Sequence, residues 1–454
     1  MAICVVRDGK VLVSKGYGVR EKGKQGDVDE ETLFMIGSNT KAFVATSVAM
    51  LEEKGKCSLN DRVQKWVPGF TQYDPWVAKN AMLSDILTHR LGFGTFQGDF
   101  IYWGTDLTKR EFFEKFGSLK PKYDFRTKYG YCNAGYAVAG EVIQKVSGVT
   151  WDEYIQKNIL DPIGMDRTSV LSQDLSADQN AARPHNLVGK DVGVIPYGPI
   201  GNLNPAGSIS SSTEDMSKWL ITLLDSGRYK GQQIIPWDAI ARTRQAFTIT
   251  NPVRYSLYGL GWELNMEEGK LIISHTGGVE GFLSYVQLIP EDKLGIVVLT
   301  NSLSNYLFYA MGTNIRNAHF NKEYQNISKT FFQRYATNLN EVETRVKEMR
   351  DSVELKFEPP VSLKKMEGKY QHDIYGWAEL KLDRDKNLQM KLEHHPDLTG
   401  KLEYIGNNRF LCTYSNSVFG IKAFPFKFEN GGVIGFTLYV DEFLDPNPYY
   451  FKKL

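Results

Sequence analysis

Three short motifs in a fixed order constrain this chain more than any other feature: Ser38-Asn39-Thr40-Lys41, then Tyr131-Cys132-Asn133, then His275-Thr276-Gly277. Each pattern alone is common. Ser-x-x-Lys occurs again at Ser362 to Lys365, and Tyr-x-Asn occurs again at Tyr324 with Asn326 and at Tyr414 with Asn416. Local context therefore decides. Ser38 follows the apolar run Leu33-Phe34-Met35-Ile36-Gly37 and precedes Phe43, Val44, Ser47, Val48 and Leu51 at helical spacing, stopped by Gly55. That predicts a serine at a helix N-terminus, where backbone N–H groups favour developing negative charge. Lys41 falls three residues on, along the same helix face. A lysine held beside a serine in a partly dry site can shed its proton and act as a base. Ser362 follows Glu358-Pro359-Pro360 and has no such helix behind it.

Tyr131 and Asn133 stand between an aromatic, basic loop and a helical pattern running through Tyr136, Val138, Ala139, Val142, Ile143 and Val146 to Gly148. A phenol there can pass a proton, and an amide can hold a substrate carbonyl. His275-Thr276-Gly277-Gly278 is predicted to end the strand Leu271-Ile272-Ile273. Small residues at such a place let a substrate backbone lie along a strand edge.

These residues resemble the signature of the β-lactamase-related serine hydrolases, which include class C-type β-lactamases, D-Ala-D-Ala carboxypeptidases, D-amino-acid peptidases and esterases. Flanking text agrees over about residues 2–320: Leu87-Thr88-His89 with Gly92, Val146-Ser147-Gly148 through Pro162-Ile163-Gly164-Met165, Pro205-Ala206-Gly207 with Ser212-Thr213-Glu214-Asp215, and Tyr258-Gly259-Leu260-Gly261-Trp262. The resemblance implies Ser38 as nucleophile, Lys41 as its base and Tyr131 as proton relay. It implies Asn133, His275, Thr276 and Gly277 as substrate-binding, with the backbone N–H groups of Ser38 and Gly278 as oxyanion hole. It implies no cofactor and no metal. At the third motif a lysine is common, whereas His275 is neutral at pH 7 unless perturbed and becomes cationic below about 6.5. That weakens recognition of a substrate carboxylate at neutral pH and predicts its return in acid.

The expected fold is α/β (α+β): a β-lactamase/transpeptidase-like sheet with flanking helices and a helical insertion, followed by a small antiparallel β-barrel. The expected divisions are a hydrolase domain over 1–325, a helical connector over 326–360 and a lipocalin-like barrel domain over 361–454. In the connector, Phe331, Tyr335, Leu339, Val342, Val346, Met349 and Val353 form an amphipathic stripe expected to pack on a neighbour, and Glu358-Pro359-Pro360 ends the helix. Beyond it, Leu380 and Leu382, Leu388, Met390 and Leu392, and Phe424, Phe426 and Phe428 alternate with polar residues. That alternation predicts a barrel with its own core, folding independently of residues 1–325. Asp383-Arg384-Asp385 begins like a calcium loop but has Leu388 and His394 where glycine and glutamate are required. The pair His394-His395 has no second ligand cluster near it in sequence.

Composition narrows the partners. A net charge of +1 over 454 residues, with no basic block, gives no footprint for nucleic acid. No apolar run is long enough for a membrane span. Cys4, Cys57, Cys132 and Cys412 form neither a metal motif nor a readable disulfide framework. The partner expected is a small-molecule or peptide substrate, and oligomeric state is open. No signal peptide is visible; export is favoured, with any signal peptide missing upstream of Met1, and a cytoplasmic protein is the alternative. Asn326-Ile327-Ser328 is a glycosylation acceptor pattern in an exported chain. The family normally carries a helix before the strand Ala2–Val6, which is absent from this sequence. The functional reading is an acyl-serine hydrolase acting on an amide or ester, with at most weak β-lactamase activity. An idle extracellular scaffold that keeps the fold is the alternative.

Overall fold

The sheet follows from apolar runs that do not alternate. Ala2 to Val6 are all buried, as is every residue of Leu294–Thr300. Strands of this kind need cover on both faces. In a computed structural model that describes residues 1–188, 191–303 and 305–454, they lie inside an eight-stranded antiparallel sheet. Its strands are β1 (Ala2–Arg7), β2 (Lys10–Gly16), β3 (Thr248–Asn251), β4 (Ser256–Tyr258), β5 (Glu263–Glu267), β6 (Lys270–Val279), β7 (Phe282–Ile289) and β8 (Leu294–Thr300), in the spatial order β2-β1-β8-β7-β6-β5-β4-β3. Asp8 and Gly9 turn β1 into β2 with φ of 49° and 73°, the positive pair that a tight hairpin of this twist requires.

Helices cover both faces. α1 (Thr40–Glu53) is buried from Thr40 to Leu51. α2 (Asn133–Ser147) ends at Gly148, whose φ of 82° suits a left-handed helix cap. α3 (Thr213–Leu224) starts at Ser212, whose hydroxyl accepts from Asp215 N–H at 3.2 Å. α3 lies on β1 and β8, and its Trp219 stacks on Phe43 of α1 with centroids 4.2 Å apart. On the opposite face, Ile3, Val5, Ile272, Tyr285, Ile296 and Val298 pack with Phe308 of α4 (Leu307–His319).

One expectation about β6 is corrected. The strand does not stop before the third motif: it runs through His275-Thr276-Gly277-Gly278 to Val279. Its pairing with β5 ends at Ser274, while pairing with β7 continues from Ile273 to Val279. β6 is thus an inner strand in its first half and an edge in its second.

The C-terminal strands are β9 (Gly368–His372), β10 (Gly376–Leu382), β11 (Leu388–Leu392), β12 (Thr399–Tyr404), β13 (Arg409–Tyr414), β14 (Ile421–Glu429), β15 (Gly432–Leu438) and β16 (Tyr449–Lys453). They close into an antiparallel barrel, β16 pairing with β9. Tyr370, Leu380, Met390, Phe410, Phe424, Phe436 and Phe451 are all fully buried, so aromatic and aliphatic side chains form the barrel core. The chain divides into two compact units, residues 1–95 with 120–332 and residues 96–119 with 333–454. A segment expected to belong wholly to the hydrolase domain therefore clusters with the barrel. Phe100 stacks on Tyr375 at 4.9 Å and on His395 at 5.0 Å, and Lys115 Nζ donates to the carbonyls of Ile374 and Tyr375 at 2.7 and 2.8 Å. α5 (Ile327–Glu354) forms the expected helix, but none of its residues is fully buried, so the predicted packing stripe is only partly covered.

Candidate active site

Ser38 sits in the turn Gly37–Asn39 that leads into α1. That turn is held from two sides. The N–H of Ile36 donates to Ile209 O at 2.9 Å. Ser284 of β7 donates to Ile36 O at 2.7 Å and accepts from Asn39 Nδ2 at 2.8 Å. A Cβ on Gly37, whose φ is 53°, would lie 2.7 Å from the Gly278 nitrogen, and one on Gly277 only 1.9 Å from Ile36 O. Glycines at both positions let the Ser38 turn and the edge half of β6 come together backbone to backbone.

Lys41 is completely buried, while Ser38 is half-buried. The Lys41 Nζ donates to Ser38 Oγ at 3.0 Å, to Asn133 Oδ1 at 2.7 Å and to Ala206 O at 2.7 Å. All three partners are neutral groups. The Tyr131 hydroxyl is enclosed beside Ser38, and Lys41 Nζ lies 4.8 Å from the Tyr131 ring centroid. Burial raises the Tyr131 phenol well above its ordinary value, against a smaller opposing effect of Ser38. Tyr131 is consequently a neutral donor rather than a phenolate. Ser38, Lys41 and Asn133 thus meet within hydrogen-bond reach, with the Tyr131 ring beside them.

His275 does not behave as its sequence position predicts. It is 3% exposed, its Nε2 lies 3.0 Å from the Tyr258 hydroxyl and its Nδ1 lies 2.6 Å from Thr276 O. A carbonyl can only accept, so Nδ1 carries the proton and Nε2 accepts from Tyr258. Burial, with Lys41 adding repulsion, pushes its pKa down to about 3. The expected cationic ring below about 6.5 is overturned: the imidazole is neutral in mild acid, and both nitrogens face protein atoms. Thr276 is half-buried opposite Tyr285 of β7, and Gly277 and Gly278 follow on the edge half of β6.

Several residues at the site had no role assigned from sequence. Ala206 supplies the carbonyl that receives Lys41, which accounts for Pro205-Ala206-Gly207. Gly261, with φ of 74°, approaches Lys41 so closely that a Cβ would lie 2.7 Å from its carbonyl oxygen. Tyr258 holds His275, and Tyr136 donates to Leu87 O at 2.9 Å. His89 accepts from Cys132 N–H at 3.0 Å. The signal for each was the flanking text itself, but only the fold supplies the partner.

The competing motif matches are structural. Ser362 precedes the one-turn helix Leu363–Met366, and Tyr414 donates to Tyr439 O at 2.9 Å. Asp383 closes a hairpin by accepting from the N–H groups of Asp385 and Asn387 at 2.9 and 2.8 Å. Among the described residues, no cluster of three His, Cys, Asp or Glu side chains could hold a metal, and no helix is long and apolar enough to cross a membrane.

A helix-flanked antiparallel sheet with Ser-x-x-Lys at the start of a buried helix defines a penicillin-binding-like serine hydrolase architecture. The chain belongs to the beta-lactamase family, whose model matches residues 1–319. Protein flp of Staphylococcus aureus is 28% identical over 67% of this chain, and this chain spans 60% of that protein's length. Unguisins hydrolase ungD' of Aspergillus campestris is 26% identical over 95% of this chain and 84% of its own length. Among solved structures, the octameric penicillin-binding protein homologue from Pyrococcus abyssi superposes with a TM-score of 0.60 at 24% identity, covering 99% of this chain and 95% of its own. A class C beta-lactamase covers 66% of this chain and 85% of its own, with a TM-score of 0.55 at 22% identity.

Proposed function

We propose that the protein is an acyl-serine hydrolase for esters or amides that carry no carboxylate beside the scissile bond. The observation that carries this is the approach of the buried Lys41 Nζ to Ser38 Oγ at 3.0 Å, with a neutral Tyr131 hydroxyl enclosed beside the same serine. In its free-amine form Lys41 keeps its two N–H groups on Asn133 Oδ1 and Ala206 O, and its lone pair takes the Ser38 proton as Oγ attacks the carbonyl carbon. The oxyanion is received by the N–H groups of Ser38 and Gly278. Tyr131 delivers a proton to the leaving alcohol or amine and is recharged from Lys41, and water then releases the acid by the same steps reversed. Asn133 holds Lys41 through Oδ1, and the edge half of β6 at Thr276 and Gly277 offers its backbone to the substrate. The hydrolase named for unguisins, similar over almost the whole chain, supports hydrolysis as the activity.

Ser38 should be the one serine labelled by a fluorophosphonate. Ser38→Ala should lower turnover by about four to six orders of magnitude, and Ser362→Ala should leave it unchanged. An adduct mapped elsewhere overturns the assignment, and no adduct on folded protein returns the chain to the scaffold alternative.

The neutral, fully engaged His275 sets the substrate class. Affinity for a carboxylate-bearing penicillin should be weak and flat between pH 5 and 8. His275→Lys should tighten it at pH 7.5 by supplying a charge. Rapid penicillin cleavage by the unmodified protein at neutral pH contradicts this preference.

A further inference from the structure

We propose that His89 is a positioning residue for Tyr131, fixing where the phenol hydroxyl stands relative to Ser38. This rests on the acyl-serine reading above, in which Tyr131 moves a proton. His89 grips the chain on both sides of Tyr131. Its carbonyl accepts from Gly130 N–H at 3.1 Å, and its ring Nδ1 accepts from Cys132 N–H at 3.0 Å. Its ring face stacks on the Tyr131 ring, with centroids 4.3 Å apart and planes 29° apart. Three contacts thus hold one residue: two fix its backbone and one fixes the tilt of its ring.

The ring is built for holding and not for proton transfer. Accepting at Nδ1 leaves the proton of the neutral imidazole on Nε2, and among the described residues no acceptor reaches that atom. His89 is 1% exposed, with Tyr129 and Tyr258 edge-on to it at 5.6 and 4.8 Å. Burial above all keeps the ring neutral. Its φ of 60° is left-handed, which asparagine tolerates better than most residues. Gly130 completes the grip: a Cβ there would lie 1.7 Å from Phe93 O, so a larger residue would push this strand of chain away from His89.

The experiment compares fluorophosphonate labelling rates at Ser38 in the full-length protein, with melting temperature measured alongside. His89→Phe keeps a ring but loses the acceptor for Cys132 N–H. It should slow labelling about 10–100-fold, the penalty for a catalytic group displaced by around an ångström. His89→Asn suits the left-handed backbone and offers Oδ1 to Cys132 N–H, so it should recover most of that loss. In a Tyr131→Phe background, with no hydroxyl left to position, His89→Phe should add less than about threefold. Where His89→Phe does not fold, His89→Ala carries the same comparison. An unchanged rate in the single variants overturns the proposal. So does a loss that is equally large with and without the Tyr131 hydroxyl, which marks a merely structural role. Absence of any adduct on the unmodified protein removes the hydrolase reading and this inference together, whereas an adduct indifferent to His89 removes the inference alone.

Discussion

Burial decides charge at the residue scale. His275 has a pKa pushed down to about 3, and His89 is held well below its ordinary value, in both cases by desolvation first. In the unfolded chain both titrate near 6.5. Between pH 6.5 and 3 the unfolded state therefore binds protons that the folded state refuses, so stability present above pH 6.5 is lost as pH falls. By pH 5 His275 alone should remove about 2 kcal/mol. Urea unfolding midpoints at pH 7 and pH 5 test this: His275→Gln should show a visibly smaller acid loss, and an identical loss contradicts the burial argument. The distinction also marks what sequence can carry. Ser38 and Lys41 were legible because three residues on a helix fix their separation. The state of His275 was not, because it depends on Tyr258 and Thr276 O, contacts that only the folded sheet makes.

At the scale of elements, one carboxylate organises the excursion between Thr95 and Lys120 within its compact unit. Asp445 is 1% exposed and accepts from the N–H groups of Gly98 at 2.9 Å, Phe100 at 3.4 Å and Asn447 at 2.9 Å, from Asn447 Nδ2 at 2.8 Å and from the Tyr449 hydroxyl. Burial still raises its pKa above the ordinary carboxylate value, because desolvation outweighs these bonds. Asp445→Ala strands several buried donors at once and should destabilise this unit by about 3 kcal/mol. Asp441→Ala removes a half-exposed partner of Lys422 at 3.3 Å and an acceptor for Phe443 N–H at 3.1 Å, and should cost about 1 kcal/mol. Chemical denaturation followed through the barrel aromatics separates the two, and equal effects would show that Asp445 is no staple. The strands β9 to β16 could be read from alternation alone. The membership of Phe96–Leu119 could not, since Phe100, Phe112 and Phe116 form an apolar pattern that fits any core.

For the whole molecule, the Pro-rich stop at Glu358-Pro359-Pro360 marked where the barrel sequence begins, but a boundary in sequence is not a boundary in packing. A unit assembled from residues 96–119 and 333–454 is discontinuous, and periodicity along one segment carries no record of a partner more than two hundred residues away. We propose that the barrel over 361–454, expected to be self-sufficient, depends on that excursion. Without the excursion, Tyr375 and His395 lose the ring of Phe100, His395 loses Trp103 O at 3.0 Å, and Asp445 loses two of its donors. A fragment of residues 333–454 should melt broadly, without a cooperative transition. A peptide spanning 96–119 added in trans should restore a sharp transition and the near-ultraviolet signal of the stacked aromatics. The same excursion lies in the chain between His89 and Tyr131. Deleting 361–454 from the full protein removes the surface that Phe100 packs on and should slow Ser38 labelling, rather than leave it intact as an autonomous barrel would. A fragment that folds cooperatively without the peptide, together with a truncation that labels at the full rate, would restore the barrel as a separate domain.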